Sequence, residues 1–425
     1  MAREKHLSHE RRNVLSWALY DWANSAFATI IIAGFFPVFF KEYWSDSADV
    51  TETTLRLGAA NSLGCIAVAA LAPLLGAIAD RRGARKRFLM SFCALGVVST
   101  GGLYWVAKGN WEAAAGLYVL ALIGFMGGNS LYDSLIVSVA RKERLDAVSA
   151  MGYALGYLGG GLLLAFCVLL TLKHELFGIA ETTQAVRLSF LLVASWWTIF
   201  AIPLFLFVRE DSSTEKERIS AIISGAAREL ISTLQKIKRF RKVLLFLLSY
   251  WLYIDAVDTI VSMAVDYGLS LGFSSSDLIL ALLITQFVGF PAAIAFGKIG
   301  ERIGAKRGIL IGITVYILIT LWGYAMKHAW EFFAVAVAIG LVQGGVQSLS
   351  RSLYARLIPV DQASEFFGFY NMMGKFAAVI GPIMVGWVAA FSGNPRYGIL
   401  SLIILFVAGG ALLTSVEAHA GPAAS

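Results

Sequence analysis

The chain has 425 residues, of which 58% are hydrophobic and 15% charged, with a mean hydropathy of +0.71. A soluble domain charges about a quarter of its positions, so this composition excludes an ordinary water-soluble protein and points to a polytopic membrane protein. The net charge of +7 calls for no nucleic-acid partner, because basic loops report topology and attraction to anionic membrane lipid.

Apolar segments near the ~20 residues that cross a bilayer core recur at 15–40, 57–79, 88–107, 113–138, 149–172 and 188–208. After a polar stretch, six more follow at 243–267, 277–299, 308–326, 331–354, 366–391 and 397–416. Transmembrane strands would read as alternating segments about ten residues long, so helices are predicted. The expected fold is an all-α membrane protein of twelve transmembrane helices in two pseudo-symmetric six-helix halves, 1–208 and 243–425, joined by a linker at 209–242. Ile219, Ile223, Ala226, Leu230, Leu234 and Ile237 recur at helical spacing in that linker, which predicts an amphipathic helix at the membrane surface.

Of the 35 Lys and Arg, 26 fall on the side of the termini and linker and seven on the other. The positive-inside rule therefore places both termini and the linker in the cytoplasm, with a plasma or inner membrane expected for a prokaryotic chain. Cys65, Cys93 and Cys167 all lie in predicted spans and suggest no disulfide framework. No Cys/His spacing resembles a metal site, and no cofactor is expected.

The connection after the second span, "GAIADRRGARKR" at 76–87, concentrates charge between two apolar runs. "GKIGERIGAKR" at 297–307 repeats it: Gly76, Asp80, Arg81, Gly83, Arg85 and Lys86 are answered by Gly297, Glu301, Arg302, Gly304, Lys306 and Arg307, each 221 residues on. "GGNSLYDSL" at 127–135 is echoed by "GGVQSLSRSL" at 344–353, which sets Asp133 opposite Arg351. The second echo allows one inserted residue and leaves Asp133 and Arg351 218 residues apart; the two loop copies at one spacing, each after the second span of a half, argue for an internal repeat.

That loop pattern, a Gly, three residues, Asp, a basic residue, any residue, Gly and then basic residues, resembles the signature of the major facilitator superfamily of secondary transporters. The first span, "SWALYDWANSAFATII" at 16–31, is similar to the opening helix of the vacuole-effluxer-like family, whose fungal members are associated with amino-acid export from the vacuole. The resemblance implies a carrier, with amino-acid-like solutes as its implied cargo. Two features of drug antiporters are missing: Tyr157 replaces the Pro of their fifth-span glycine motif in "GYLGGG", and Asp133 lies in the region where their fourth span carries Arg.

Six ionisable residues, Asp21, Asp133, Asp255, Asp258, Arg351 and Lys375, fall inside predicted spans. At roughly 2.5–3.5 kcal/mol each, six unpaired charges would cost on the order of 15–20 kcal/mol, so they must be paired, hydrated or neutral. Helical spacing collects polar residues on single stripes: Asp21 with Asn24 and Ser25, Asn129 with Asp133, Asp255 with Asp258, and Gln343 with Gln347 and Arg351. At ~1.5 Å per residue, Asp21, Asp133 and Arg351 lie in the basic half of the bilayer and Asp255 and Lys375 near its middle. Asp133 with Arg351 reads equally as a salt bridge between the halves or as a substrate contact.

Substrate binding is accordingly expected of Asp21, Asn24, Ser25, Asn129, Asp255, Gln343, Gln347 and Lys375. Proton coupling is expected of Asp258 with Asp255, and gating of Asp80, Arg81, Asp133, Arg351, Glu301 and Arg302. The function expected is secondary active transport of a small polar or zwitterionic solute, by efflux or coupled to protons, in a monomer. Export of amphiphilic compounds and a transporter-like receptor that moves nothing are the alternatives. No nucleotide loop or nucleophile constellation argues for an enzyme.

Overall fold

An apolar segment in hydrocarbon has no water for its backbone N–H and C=O groups, and a helix satisfies them within the segment. The structure, a computed structural model, describes residues 2–45, 50–210, 240–270 and 275–417. The described residues of the first half form α1 (Ala2–Ala26), α2 (Val50–Arg82), α3 (Arg85–Gly102), α4 (Trp111–Ser134), α5 (Leu145–Leu172) and α6 (Thr182–Phe207). Those of the second form α7 (Arg241–Ser270), α8 (Ser275–Ile303), α9 (Ala305–Ala325), α10 (Ala329–Leu357), α11 (Ala363–Ser392) and α12 (Pro395–Ser401 with Ile403–Thr414). The expected all-α architecture is present. The amphipathic helix expected in the linker falls at 211–239, outside the described residues.

α1 continues past Ala26 in wider π turns at Phe27–Phe35 and Phe40–Trp44, separated by the α turn Phe36–Phe39. Pro37, which has no N–H to give a helix ladder, sits in that turn. Aromatic packing holds the irregular segment in place: Phe36 stacks on Tyr118 of α4 with ring centroids 3.9 Å apart, and Trp44 on Phe190 of α6 at 5.7 Å.

The two halves meet through α5 against α8 and α10, and through α11 against α2 and α4. One end of the bundle gathers the basic connections. There Arg141 bonds Glu10 at 2.7 Å, Lys242 bonds Glu417 at 2.9 Å, and Lys306 reaches the carbonyl of Thr414 at 2.7 Å. This is called the basic end below.

The internal repeat is visible in the backbone at that end. Gly83, between α2 and α3, has φ of 55°, and Gly304, between α8 and α9, has φ of 89°. Both values lie where side chains are disfavoured, which explains why the repeated loop keeps glycine at its centre.

A methyl group added at Gly304 would meet open space, so Gly304→Ala isolates the backbone cost, about 1–3 kcal/mol. The variant is expected to melt at a lower temperature in detergent. Gly386→Ala, also facing open space but inside helix α11, is expected to leave the melting temperature unchanged or raise it.

Candidate functional site: a charged latch at the basic end

A guanidinium inside an apolar bundle needs every donor filled and its charge balanced. Arg351 on α10 is 1% exposed. Its Nε donates to Ser149 Oγ and its Nη2 to the Ser149 carbonyl, both at 2.9 Å, on α5. Nη1 donates to Asp133 Oδ1 of α4 at 2.9 Å, and Nη1 and Nη2 reach Asp21 Oδ2 of α1 at 3.3 and 3.2 Å. Trp17, Tyr132 and Tyr153 surround the cation, with centroids 4.8, 5.6 and 4.4 Å from its carbon. One side chain of the second half thus holds three helices of the first.

Small residues let the helices come close enough for this. Ser149 Oγ donates to the Ser348 carbonyl at 2.8 Å, joining α5 directly to α10. Along the α1 and α5 seam, Gly152, Gly156 and Gly160 face Asp21, Ser25 and Thr29 in step. A Cβ at Gly152 would run into Asp21 Oδ2 and lie 2.9 Å from Arg351 Nη2. The stripe is a small-residue packing face.

Two further contacts close the basic end. Asp80 accepts the backbone N–H groups of Ser364 at 3.1 Å and Glu365 at 2.9 Å, capping the first turn of α11, and accepts Arg85 Nε at 2.7 Å. Burial pushes the Asp80 carboxyl above its ordinary range, against the pull of Arg85 and those two N–H groups. Arg85 continues to the Val360 carbonyl at 3.2 Å. Between α5 and α10, Asp146 binds Arg356 at 2.6 Å and accepts Ser352 Oγ.

Farther from the basic end, Asn24 donates to Asn129 at 2.6 Å, and Tyr157 donates to Gln347 at 3.5 Å. Asp258, one turn along α7 from Asp255, is half-buried. Asp255 is differently placed from the expected cavity residue. It is 1% exposed, and both its oxygens accept the Gly381 N–H at 3.0 Å. Pro382 directly follows that glycine inside α11, so the carboxylate fills a backbone donor beside the proline.

Gln343 lines a separate apolar chamber among α7, α8, α9 and α10, with Ile260, Thr285, Ile319 and Ile339. Glu301 and Arg302 are exposed and make no ion pair with a described residue. The side chains of Arg81 and Lys375 lie outside the described residues. Ser149, Asp146, Arg356, Tyr153 and Asn371 are contacts that the sequence pattern does not single out. Asn371 donates to Asp133 Oδ2 at 3.0 Å, and no periodicity marks it out. Asp146 and Arg356 were visible as charges at the ends of helices.

Arg351→Leu strands two carboxylates in the shut arrangement at a cost of about 3–5 kcal/mol. With spin labels at the exposed positions Glu143 and Val360, the variant is expected to lose the short interspin distance of the shut basic end. Adding Asp133→Asn is expected to restore part of it.

Comparison with known proteins accords with this geometry. Residues 57–145 and 138–424 match the family model described as "Vacuole effluxer Atg22 like". The chain is 37% identical to the uncharacterized MFS-type transporter YxiO of Bacillus subtilis, over 94% of each chain. It is 26% identical to autophagy-related protein 22-2 of Aspergillus clavatus over 64% of this chain, a match spanning 48% of the fungal protein. In fold it is similar to the human organic anion transporter MFSD10 (TETRAN), with a TM-score of 0.70, 16% identity and coverage of 95% of this chain and 99% of the other. A family model matched over most of the chain and a relative 37% identical over 94% of it place this protein in the vacuole effluxer Atg22-like family of major facilitator transporters.

Proposed function

We propose that the protein carries a small zwitterionic, amino-acid-like solute by alternating access, with units 1–208 and 243–425 rocking about the α5/α8 and α2/α11 contacts. The observation that carries the proposal is the electrostatic layout beside the latch. Asp258 offers one carboxylate to an ammonium group, while the Asn24–Asn129 pair and Gln347 offer neutral hydrogen bonds nearby. Tyr153 borders the latch, with Arg351 over its ring at 4.4 Å. A half-buried acid suits a cation, and few polar groups in an apolar bundle suit a small solute.

In this reading Asp133, Arg351, Asp80 and the Asp146–Arg356 pair form the gate at the basic end, which faces the cytoplasm. The apolar chamber around Gln343 favours a second reading, in which the cargo is an amphiphile whose apolar part enters that chamber.

A thermal-shift screen of the purified protein against amino acids, dipeptides, sugars and lipophilic cations separates the readings, because a ligand of the folded state raises its stability. Amino acids are expected to raise the melting temperature, and Asp258→Asn to abolish that rise. Stabilisation by lipophilic cations alone would select the amphiphile reading. Orientation has its own test: a Cys placed at Ser213 is expected to react with a membrane-impermeant thiol reagent only after cells are permeabilised. Labelling in intact cells would invert the topology.

A further inference from the structure

The latch holds two carboxylates against one guanidinium. Arg351 spends its five donors on Asp21 Oδ2, Asp133 Oδ1 and the hydroxyl and carbonyl of Ser149, and none remains for the second oxygen of either acid. Asp133 is satisfied at both oxygens, by Arg351 at Oδ1 and by Asn371 at Oδ2. Asp21 is not. Its Oδ2 accepts Tyr132 at 2.8 Å as well as both terminal nitrogens of Arg351, whereas its Oδ1 accepts no hydrogen bond from any described residue. The Asp21 side chain keeps 14% exposure, which gives that oxygen a way to exchange with water.

Among the described residues, the charged and titratable groups around Asp21 are Arg351 of α10, Asp133 and Tyr132 of α4, Tyr153 of α5 and Tyr20 of α1, with Asp258 of α7 beyond Tyr153. Phenols titrate near pH 10 and stay neutral in the working range. The shut latch therefore retains one negative charge that no described group offsets, in surroundings that penalise an unpaired charge.

From this geometry we infer that Asp21 is the proton-binding carboxylate of the carrier, with the proton on Oδ1, and that the bound proton keeps the basic end shut. Adding the proton converts the carboxylate to a carboxylic acid whose O–H lies on the open oxygen. Oδ2 continues to accept Tyr132 and Arg351, so no latch bond has to break. Losing the proton restores the surplus negative charge, which opening of the basic end relieves by hydration. The inference rests on alternating access, as proposed above, but its test needs no solute and stands or falls independently of the cargo.

The test follows the shut basic end against pH, with spin labels at Glu143 and Val360 in liposomes containing no solute. In the otherwise unaltered protein, the ratio of shut to open is expected to fall as pH rises, by up to about tenfold per pH unit, the limit for a single proton. Asp21→Asn is expected to stay shut at every pH, Asp21→Glu to keep the response, and Asp258→Asn to keep it too. A pH-independent ratio in the unaltered protein, a normal response in Asp21→Asn, or loss of the response in Asp258→Asn would each overturn the inference. Should Asp21→Asn fail to purify as a folded protein, Asp133→Asn decides. It leaves one carboxylate facing one guanidinium and is expected to stay shut across the range, so an unchanged response there overturns the inference as well.

Discussion

A single buried guanidinium organises the basic end of this protein. Removing a cation from water is expensive, and the cost is recovered only where every donor meets an acceptor and the charge meets its opposite. Arg351 meets both conditions with side chains from α1, α4 and α5, so the helix that carries it cannot turn or withdraw without leaving those partners unpaired. The halves are therefore bound at one end by an interaction that depends on exact side-chain placement. Interfacial apolar contacts would not do this, since lipid tails are as apolar as leucine and offer an equivalent surface when helices part.

The latch depends on backbone proximity as much as on charge. Gly152 gives Asp21 and Arg351 the volume that a methyl group would take, and Ser149 supplies both its hydroxyl and its carbonyl to the same cation. Small residues at a helix interface also preserve the ability to separate and repack. The glycine stripe of α5 serves close approach along its whole length, from Asp21 to Thr29, without any need for the proline that antiporters of the superfamily carry there.

Much of the arrangement could be read before the coordinates. The spans, the repeated loop and the offset that sets Asp133 opposite Arg351 depend on composition and spacing, both of which survive translation into helices; the two side chains are 2.9 Å apart. Counting rise per residue also placed Asp21 in the same layer as that pair. Rotation and backbone irregularity were not legible. Asp255 and Asp258 share one helix face in the sequence, yet one is held by the Gly381 N–H beside Pro382 and the other stays half-buried. A backbone donor on a neighbouring helix decides that difference, and it cannot be read from α7 alone. Asn371 was missed for a related reason, because a lone amide on an apolar helix gains meaning only from the carboxylate opposite.

The repeat is also broken where it matters. Asp80, in the first copy of the loop, caps the start of α11, whereas Glu301, its counterpart in the second, is exposed. The position that a symmetric Glu301 would serve is the start of α5, and there the chain uses its own Asp146, which binds Arg356 of α10 instead. A Cβ added at Gly300 would lie 3.2 Å from the Asp146 side chain, so α8 ends directly against that acid. Both acids at this end thus come from the first half and meet the second by different routes: a loop acid that caps a helix, and a helix acid that pairs with an arginine. A cap on backbone N–H groups can re-form wherever a helix end returns, while a carboxylate–guanidinium pair demands side-chain registry. The α2/α11 contact is accordingly the more tolerant of the two, and the α5/α10 contact, reinforced by Arg351, the more demanding of registry.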